Sequence, residues 1–582
     1  MKNRFLRFPD LYSALALAPI FAMPAFASAA TVANPLCPDN TAIFNPDSGK
    51  DIVVPPGFTV SVFKAGINFP TGIAFRGNRQ NFEVYVLESG HGLPSRCNEQ
   101  TNFGSGDFDA TNPFTPDILV FDSNGKLLRT LGKPTASGGF QTAGPAVDIG
   151  FERGIQGGRL FATDSNQATH AQGQNNSSRI VIVDPDTGKV TPFISQLPTG
   201  DHPTEQLAFK DNWIYWSQGS TTNSGVVGKD NGGGTNQQDI PCQDIVLSQN
   251  VFDSGGGIKT SGYSPFGVQR PGATVKAFES AAHHGVCDGA ILRAPLNAAH
   301  PENAIEPFSW GYRNGYAIRF APNGHPLAGE LLVGEDGPDE RGARPTNNAP
   351  DVLQIARQNP DGTPDYHGWP DQFGFLASSQ AVFNPIGGPS DDLCVFDPTG
   401  PNKCTAASLA QILSEDVPIR DVLAGPPQPI TSPLGLEAAD SSFTGIDFVP
   451  RSFVGGPVAP GAALYTLEGD FGFSPPNASE GAPEVGHEVK LINFDQHGNS
   501  PVALKLQGFA RNVSGDQAFI SADHPSGFNR PTMVRFGPDD CAYVADYGAV
   551  RDNGEDTHFV GANNGPLLQI PGTGVIWKIC KQ

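Results

Sequence analysis

The sequence lacks several features that would point to common alternatives. After its N-terminal region it has no run of about 18 apolar residues, so no transmembrane helix is predicted. It has no CxxC pair, a spacing typical of structural zinc sites. Lysine and arginine number 37 against 59 acidic residues, and the formal net charge is −22. We therefore expect no binding to nucleic acid or to anionic lipid.

The first 29 residues have the pattern of a secretory signal peptide. Basic residues within the first seven positions precede an apolar stretch that ends at Phe26, and small residues follow at 27–29. This order of charge, apolar core and small cleavage-site residues predicts a segment that is removed on export. We expect a mature protein that is soluble and either periplasmic or secreted.

Helix-forming stretches are scarce, and a short strand pattern recurs instead. Gly (69) and Pro (53) are abundant, which favours many strands joined by turns. Six copies of a strand core end in Phe, at 72–75, 148–151, 206–209, 317–320, 445–448 and 533–536. Each is followed by a second short strand, at 84–88, 160–164, 214–218, 331–335, 464–468 and 542–546. Third strands follow in several copies, such as 117–121, 179–183 and 351–355.

Six copies of a multi-strand unit predict an all-β fold, a six-bladed β-propeller. We assign it to 51–582, after an N-terminal segment at 30–50. Radial closure hides the strand edges, and the last strand, 574–579, is expected to close the ring by pairing near the chain's beginning. A stack of sandwich domains is the alternative, but it does not explain the sixfold recurrence.

Uneven spacing of the copies locates two insertions, near 220–262 and 371–430. Both follow the second strand of a blade or lie near such a position. Long loops of a propeller gather around its axis, where ligands bind. Surface elaboration is the other interpretation of these two segments.

The sequence contains eight cysteines, an even number, which favours disulfides in an exported protein. They are Cys37, Cys97, Cys242, Cys287, Cys394, Cys404, Cys541 and Cys580. Full connectivity is not deducible. A local staple between Cys394 and Cys404 and a link from Cys541 to Cys580, which would tie the last blade to the C-terminal strand, are the pairings that we expect.

The second strands end in polar residues at equivalent positions. They are Glu88, Asp164, Gln218, Glu335, Glu468 and Asp546. One interpretation is that each carboxylate binds turn amides within its own blade. The other is a carboxylate-lined region that binds Ca²⁺, a cation that prefers oxygen ligands.

Residues just before the first strands are the best candidates for chemistry, because those strands begin beside the axis. Three such places carry Asp201-His202-Pro203, Arg313-Asn314 and Asn529-Arg530-Pro531. A histidine can accept a hydroxyl proton near neutral pH. Arginines can bind carboxylates or an oxygen that gains negative charge.

Several motifs resemble the soluble quinoprotein glucose dehydrogenases and related glucose/sorbosone dehydrogenases. These are GYRNGYAIRFAPNG at 311–324, GEDGPD at 334–339, DVLQI at 351–355, HGWP at 367–370, PPGF at 55–58 and Arg530-Pro531. The similarity covers most of 51–579, with the two insertions outside it. The resemblance implies a propeller that oxidises a small sugar or alcohol with pyrroloquinoline quinone (PQQ) and Ca²⁺.

Residue by residue, the resemblance implies specific roles. His202 would be the base, and Arg313 would polarise the reactive quinone carbonyl. Arg313, Asn314 and Arg530 would contact PQQ. The metal-binding turn would be Asp336-Gly337-Pro338, with the carbonyls of Gly337 and Pro338 as Ca²⁺ ligands.

Three positions depart from the family pattern. Ser220 stands where an acidic partner of the histidine is expected, Gly469-Asp470 where a lysine is expected, and Thr532 where a second arginine is expected. Two other functions therefore stay open. They are a Ca²⁺-dependent propeller hydrolase such as a lactonase, with His202 as base, and a non-catalytic exported binding propeller. The sequence does not identify an electron acceptor.

Overall fold

A computed structural model describes most of the predicted propeller. The described residues are 30–33, 41–90, 113–135, 138–166, 177–228, 237–254, 257–279, 286–339, 343–344, 346, 349–373, 376–380, 417–418, 420–430, 433–469, 485–497, 500–552 and 567–582. The signal peptide and Cys37, Cys97, Cys394 and Cys404 lie outside them.

Six antiparallel sheets form the blades of a propeller, which confirms the predicted fold. Blade 1 contains Pro70–Asn78, Asn81–Glu88, Asp117–Asp122 and Leu127–Leu131. Blade 2 contains Ile149–Phe151, Leu160–Asp164, Ser178–Val183 and Val190–Leu197. Blade 3 contains Thr204–Lys210, Trp213–Gln218, Ala290–Pro295 and Glu306–Trp310, beside which Asp365–Tyr366 pairs in parallel.

The remaining blades follow in chain order. Blade 4 contains Asn314–Phe320, Leu331–Asp336, Val352–Ala356 and Gly435–Leu436. Blade 5 contains Phe443–Phe448, Ala463–Leu467, Glu488–His497 and Ser500–Asn512, with Ile52–Val53 at its edge. Blade 6 contains Pro531–Phe536, Ala542–Asp546, Gly574–Lys581 and Phe58–Ile67.

Blade 6 closes the ring as the sequence predicts. Its third strand, Gly574–Lys581, pairs antiparallel with Phe58–Ile67 from the start of the chain. A disulfide joins Cys541 to Cys580 in the same blade, which confirms that predicted pairing. The chain's two ends are thereby held in one sheet, so no blade edge is left open at the closure.

The core lies between the faces of neighbouring blades, which explains why the second strands are apolar on both sides. In blade 1, Tyr85 packs toward blade 2, where its ring lies 5.1 Å from that of Phe151. Val84, on the opposite face, belongs to a cluster with Tyr543 of blade 6. Because both faces of such a strand are buried against neighbouring blades, apolar residues occupy consecutive positions along it.

The two insertions leave the propeller at different points. The first connects the second and third strands of blade 3 and extends to 289, beyond the predicted limit of 262. The second lies between the third and fourth strands of blade 4, not after a second strand. They contact each other through a bridge between Leu247 and Leu423, and a disulfide links Cys242 to Cys287 in the first.

The remaining elements are short. Strands outside the blades are Ala30–Ala33, Thr41–Phe44, Ile245–Val246, Phe252–Asp253, Lys259–Thr260, Thr274–Val275, Gln372–Phe373, Leu376–Ala377, Ser379–Gln380, Val417–Pro418, Val550–Asp552 and Leu567–Gln569. The 3-10 helices are Gly154–Gln156, Pro301–Ala304, Arg451–Phe453 and Ala518–Ile520. Within the described residues, no helix has the length and apolar character needed to cross a membrane.

Candidate functional site

Most of the acidic residues that end the second strands bind backbone amides of their own blade. Glu335 accepts a hydrogen bond from the Arg313 amide at 2.9 Å. Asp546 accepts from the Asn529 and Arg530 amides, both at 2.8 Å. Glu88 likewise accepts from the Asn68 amide just before the first strand of its blade, and Asp164 accepts from the Gln141 amide in the segment that leads to blade 2. These four carboxylates hold the segments that enter the axis, as in the structural interpretation of the pattern.

His202 lies beside a carboxylate that the sequence comparison did not identify. Its Nε2 atom is 3.6 Å from Oδ2 of Asp201, and both side chains are largely buried. The backbone of this pair is fixed against the segment after the second strand, because the Asp201 and His202 amides donate to the Thr221 and Ser220 carbonyls. Asp201 therefore places a carboxylate near His202, where Ser220 supplies none.

Glycine permits this close approach of two backbone segments. A Cβ atom at Gly219 would lie 2.2 Å from the Cβ atom of His202, and one at Gly200 would lie 2.2 Å from the Cα atom of Thr221. Real Cβ atoms do not come that close, so a side chain at either position would displace His202 or its neighbours.

Arg313 is the centre of an ionic group at the same end of the axis. Its side chain is 2% exposed. Nη2 lies 2.6 Å from Oδ2 of Asp339 and 3.7 Å from Oδ2 of Asp201, and Nη1 lies 3.4 Å from Oδ2 of Asp336. The Arg313 carbonyl accepts from the Ser220 amide at 2.9 Å. Asp201 therefore faces His202 on one side and Arg313 on the other.

The predicted metal-binding turn contacts Arg313 directly. The Gly337 carbonyl accepts a hydrogen bond from Nη1 of Arg313 at 2.6 Å, and the Gly337 amide donates to Asp351 at 2.8 Å. A carbonyl oxygen has two lone pairs, so one lone pair of Gly337 is taken by the guanidinium. Ca²⁺ ligation by Gly337, Pro338 and Asp336 stays a prediction.

Arg530 lies in a second buried group across the axis. Its Nη1 atom donates to the Gly469 carbonyl at 3.0 Å. Burial and the Arg530 charge hold the pKa of His487 well below its ordinary value, so this histidine is neutral. A Cβ atom at Gly469 would lie 2.2 Å from the His487 ring. Gly469, which stands where the family pattern has a lysine, therefore leaves space for the neutral His487 ring.

Two further carboxylates connect the Arg313 and Arg530 groups. Glu205, near the start of the first strand of blade 3, is 2% exposed, and burial together with the charges of Asp336 and Glu468 raises its pKa well above the ordinary value. Burial raises the pKa of Glu468 to about 8, against the opposing charge of Arg530. Burial therefore favours the protonated form of both side chains.

The structure brings the predicted site residues to one end of the axis, here called the site end. His202, Arg313, Asn314 and Arg530 all lie immediately before or at the start of first strands. Sequence reasoning included Asp201 and Asp339 in candidate segments without giving them a role, and it missed Glu205 and His487. The role of Asp201 could have been found, because it adjoins His202 in the chain. The proximity of Glu205 to acids of other blades depends on ring closure and has no local signal.

The family cofactor can be tested against the described residues. Nε of Arg313 and Oδ1 of Asn314 are buried and have no hydrogen-bond partner among the described residues, and the resemblance assigns both residues to PQQ. These two atoms fit a polar ligand. The carboxylates of Asp201, Asp336 and Asp339 outnumber the two arginines, so a trianionic quinone fits only if a divalent cation binds with it. Within the described residues, no three His, Cys, Asp or Glu side chains form a group that could hold a metal.

Comparison with known proteins gives structural likeness alone. No model of a protein family matches the chain, and no curated protein matches it. The holo PQQ domain of pyranose dehydrogenase from Coprinopsis cinerea is 13% identical, with a TM-score of 0.46, over 91% of this chain and 97% of that chain. A calcium structure of a family AA12 enzyme from Trichoderma reesei is 13% identical, with a TM-score of 0.45, over 91% and 97%.

A third solved structure is described as a putative oxidoreductase (glucose dehydrogenase) from Thermus thermophilus. It is 13% identical, with a TM-score of 0.42, over 90% of this chain and 100% of that chain. These proteins belong to the class that the sequence motifs resemble. At such identities and TM-scores the likeness carries no functional argument, which rests on the residues of this chain.

Proposed function

We propose that this chain is an exported sugar or alcohol dehydrogenase. Pyrroloquinoline quinone, bound with Ca²⁺ at the site end of the axis, would supply the oxidant for the substrate hydroxyl carbon. The proposal combines the motif resemblance with the geometry of the described residues.

The observation that carries the proposal is the chain of contacts from His202 through Asp201 to Arg313. Asp201 Oδ2 lies 3.6 Å from the histidine ring and 3.7 Å from the guanidinium. A base needs a neighbour that stabilises its protonated form. The carboxylate that is absent at Ser220 is present at Asp201, and this supports the assignment of His202 as the base.

The residues of this chain divide the reaction between them. His202 accepts the hydroxyl proton at its imidazole, and Asp201 stabilises the resulting imidazolium. The hydride leaves the same substrate carbon, which becomes a carbonyl carbon, so one proton and one hydride are accounted for. PQQ, when bound, supplies the electrophilic carbonyl that takes the hydride.

Arg313, Asn314 and Arg530 would hold the cofactor. Arg313 is fixed by Asp339 and Gly337, so its guanidinium is oriented before any ligand binds. Arg530 is fixed by Gly469. Preorganised donors of this kind stabilise charge that develops during reaction without rearranging.

The first experiment measures binding, not activity. Purified mature protein is titrated with PQQ, with and without Ca²⁺, and binding is followed by isothermal titration calorimetry. We expect saturable binding that depends on Ca²⁺, because the acidic site end repels the quinone carboxylates. The variant Arg530→Gln is expected to bind about tenfold or more weakly, since it loses a charged hydrogen-bond donor.

The matched control is Arg79→Gln, which removes an exposed arginine paired with Asp540 far from the site end. It should bind PQQ as the wild type does. If the wild type shows no PQQ binding at any Ca²⁺ concentration, the dehydrogenase proposal is wrong. A hydrolase or a binding protein then becomes the better interpretation.

A further inference from the structure

A cavity lies at the end of the axis opposite the site end, here called the phenylalanine end. It has a volume of about 540 Å³, within the range of small-molecule sites. All six phenylalanines of the sequence repeat line it: Phe75, Phe151, Phe209, Phe320, Phe448 and Phe536. These residues lie toward the far ends of the same first strands that begin at the site end.

The axis between the two ends is crossed by Gln206. Its Nε2 donates to the Thr444 carbonyl of blade 5. Its Oε1 accepts from the Ile318 amide of blade 4 and from Nη2 of Arg535 of blade 6, both at 3.3 Å. Side chains from opposite blades thus meet in the channel, and the cavity is a separate space from the candidate active site.

The buried acids of this cavity already have partners. Asp148 accepts from the Leu207 amide of blade 3 at 3.0 Å and from the Ile149 amide at 2.9 Å. Asp447 accepts from the Phe536 amide of blade 6 at 2.9 Å and from Nε of Arg319 at 2.8 Å. Both carboxylates join neighbouring blades.

The third acid at the cavity, Glu152, is also committed, because it forms an ion pair with Arg159 at 2.8 Å. The buried Arg535 donates to the Ile446 and Val534 carbonyls at 2.9 and 3.0 Å. Its charge is therefore used within the fold.

Two arginines that line the cavity have guanidinium N–H groups without an acceptor among the described residues. Arg319 uses Nε for Asp447, and its two Nη groups have no acceptor among the described residues, with the side chain 37% exposed. Arg153, at the exposed rim, makes no side-chain hydrogen bond or ion pair within the described part of the chain. Guanidinium groups with free donors line this cavity together with phenylalanine side chains, in a chain with a net charge of −22.

We propose that the phenylalanine-end cavity binds a small aromatic carboxylate. Its ring packs on the phenylalanine side chains, which favour edge or offset contacts with another ring. Its carboxylate accepts from the Nη groups of Arg319, with Arg153 adding charge at the rim, in the paired geometry that guanidinium and carboxylate prefer.

The test uses 2-naphthoate as the probe, with 2-naphthalenemethanol as its neutral counterpart, and measures binding to the mature protein by calorimetry. We expect saturable binding of 2-naphthoate and at least tenfold weaker binding of the alcohol. Arg319→Gln should weaken 2-naphthoate binding at least tenfold. Arg79→Gln, an exposed arginine outside the cavity lining, should leave it unchanged.

A second variant covers the case in which Arg319→Gln folds poorly. Ile155→Asp places a negative charge at the rim, where the side chain is 45% exposed, and should also weaken 2-naphthoate binding. Arg530→Gln, at the site end, should not. The proposal is overturned if 2-naphthoate does not saturate, if Arg319→Gln and Ile155→Asp both bind it like the wild type, or if Arg530→Gln abolishes binding.

Discussion

The site end and the phenylalanine end of the axis are built from the same six first strands, yet they carry different chemistry. At the site end, Arg313 contacts three carboxylates and adjoins His202 through Asp201. At the phenylalanine end, Arg535 mainly contacts backbone carbonyls. The segments entering the strands vary between blades, whereas the strand ends repeat. The repeated strands therefore form the scaffold, and the residues that differ between blades form the candidate site.

Removing each buried arginine in turn tests whether the two ends act independently. Arg313→Ala and Arg535→Ala should each destabilise the fold by about 3–5 kcal/mol, because buried acidic or carbonyl partners lose their donor. Only Arg313→Ala should also abolish PQQ binding. Denaturant unfolding and PQQ titration measure the two effects. Loss of PQQ binding in Arg535→Ala at a temperature where it is folded would show that the two ends are not independent.

The two disulfides can be compared directly, because their sequence separations are similar, 45 and 39 residues. Loop entropy alone gives each about 4 kcal/mol. Replacing Cys541 and Cys580 by Ser should lower the melting temperature and leave PQQ affinity intact.

Replacing Cys242 and Cys287 by Ser should also weaken PQQ binding. Asp288, next to Cys287, accepts hydrogen bonds from Thr221, and Thr221 binds the Asp201 amide. Equal PQQ affinities in the two double variants would mean that the first insertion does not support the site.

A smaller effect is expected from Asp201→Asn. A carboxylate that orients a histidine contributes about 10- to 100-fold, so turnover should fall by that factor. The pH at which activity is half-maximal should move down, because the imidazolium loses its negative neighbour. Asp211→Asn, at a position 82% exposed, is the control. A lower rate with an unchanged pH profile would assign Asp201 a purely structural role.

The smallest effect concerns Glu88, which ends the second strand of blade 1 opposite the start of its first strand. Burial and the neighbouring charge of Asp117 raise the pKa of Glu88 to about 9. The native state then binds more protons than the unfolded state between about pH 4.5 and 9, so stability falls as pH rises through that window. In Glu88→Gln, the decrease in melting temperature with rising pH should be smaller by roughly 1–3 °C. An identical pH dependence in both proteins would contradict this assignment.

The fold could be predicted because its signal is local and repeated. Six Phe-ended strand cores and their apolar second strands mark the blades, and the last strand, left without a blade, implies closure. The extents of the insertions were predicted less well. Their short strands, such as Ile245–Val246 and Thr274–Val275, have too few residues to show a period.

The candidate site was predicted in part. His202, Arg313 and Arg530 share a position relative to their strands, which a repeat makes visible. Asp339 pairs with Arg313 within blade 4, whereas Glu205 comes near Asp336 and Glu468 only after blades 3, 4 and 5 surround the axis. The proximity of these three acids joins different blades, so no sequence spacing encodes it.

The most direct test is dye reduction by protein reconstituted with PQQ and Ca²⁺, assayed over sugars and alcohols in wild type, His202→Ala and His300→Ala. His300 is 74% exposed and serves as the control. We predict that His202→Ala lowers turnover about 10²- to 10⁴-fold, with PQQ affinity unchanged and His300→Ala like the wild type. Wild-type turnover in His202→Ala would contradict the assignment of His202 as the base.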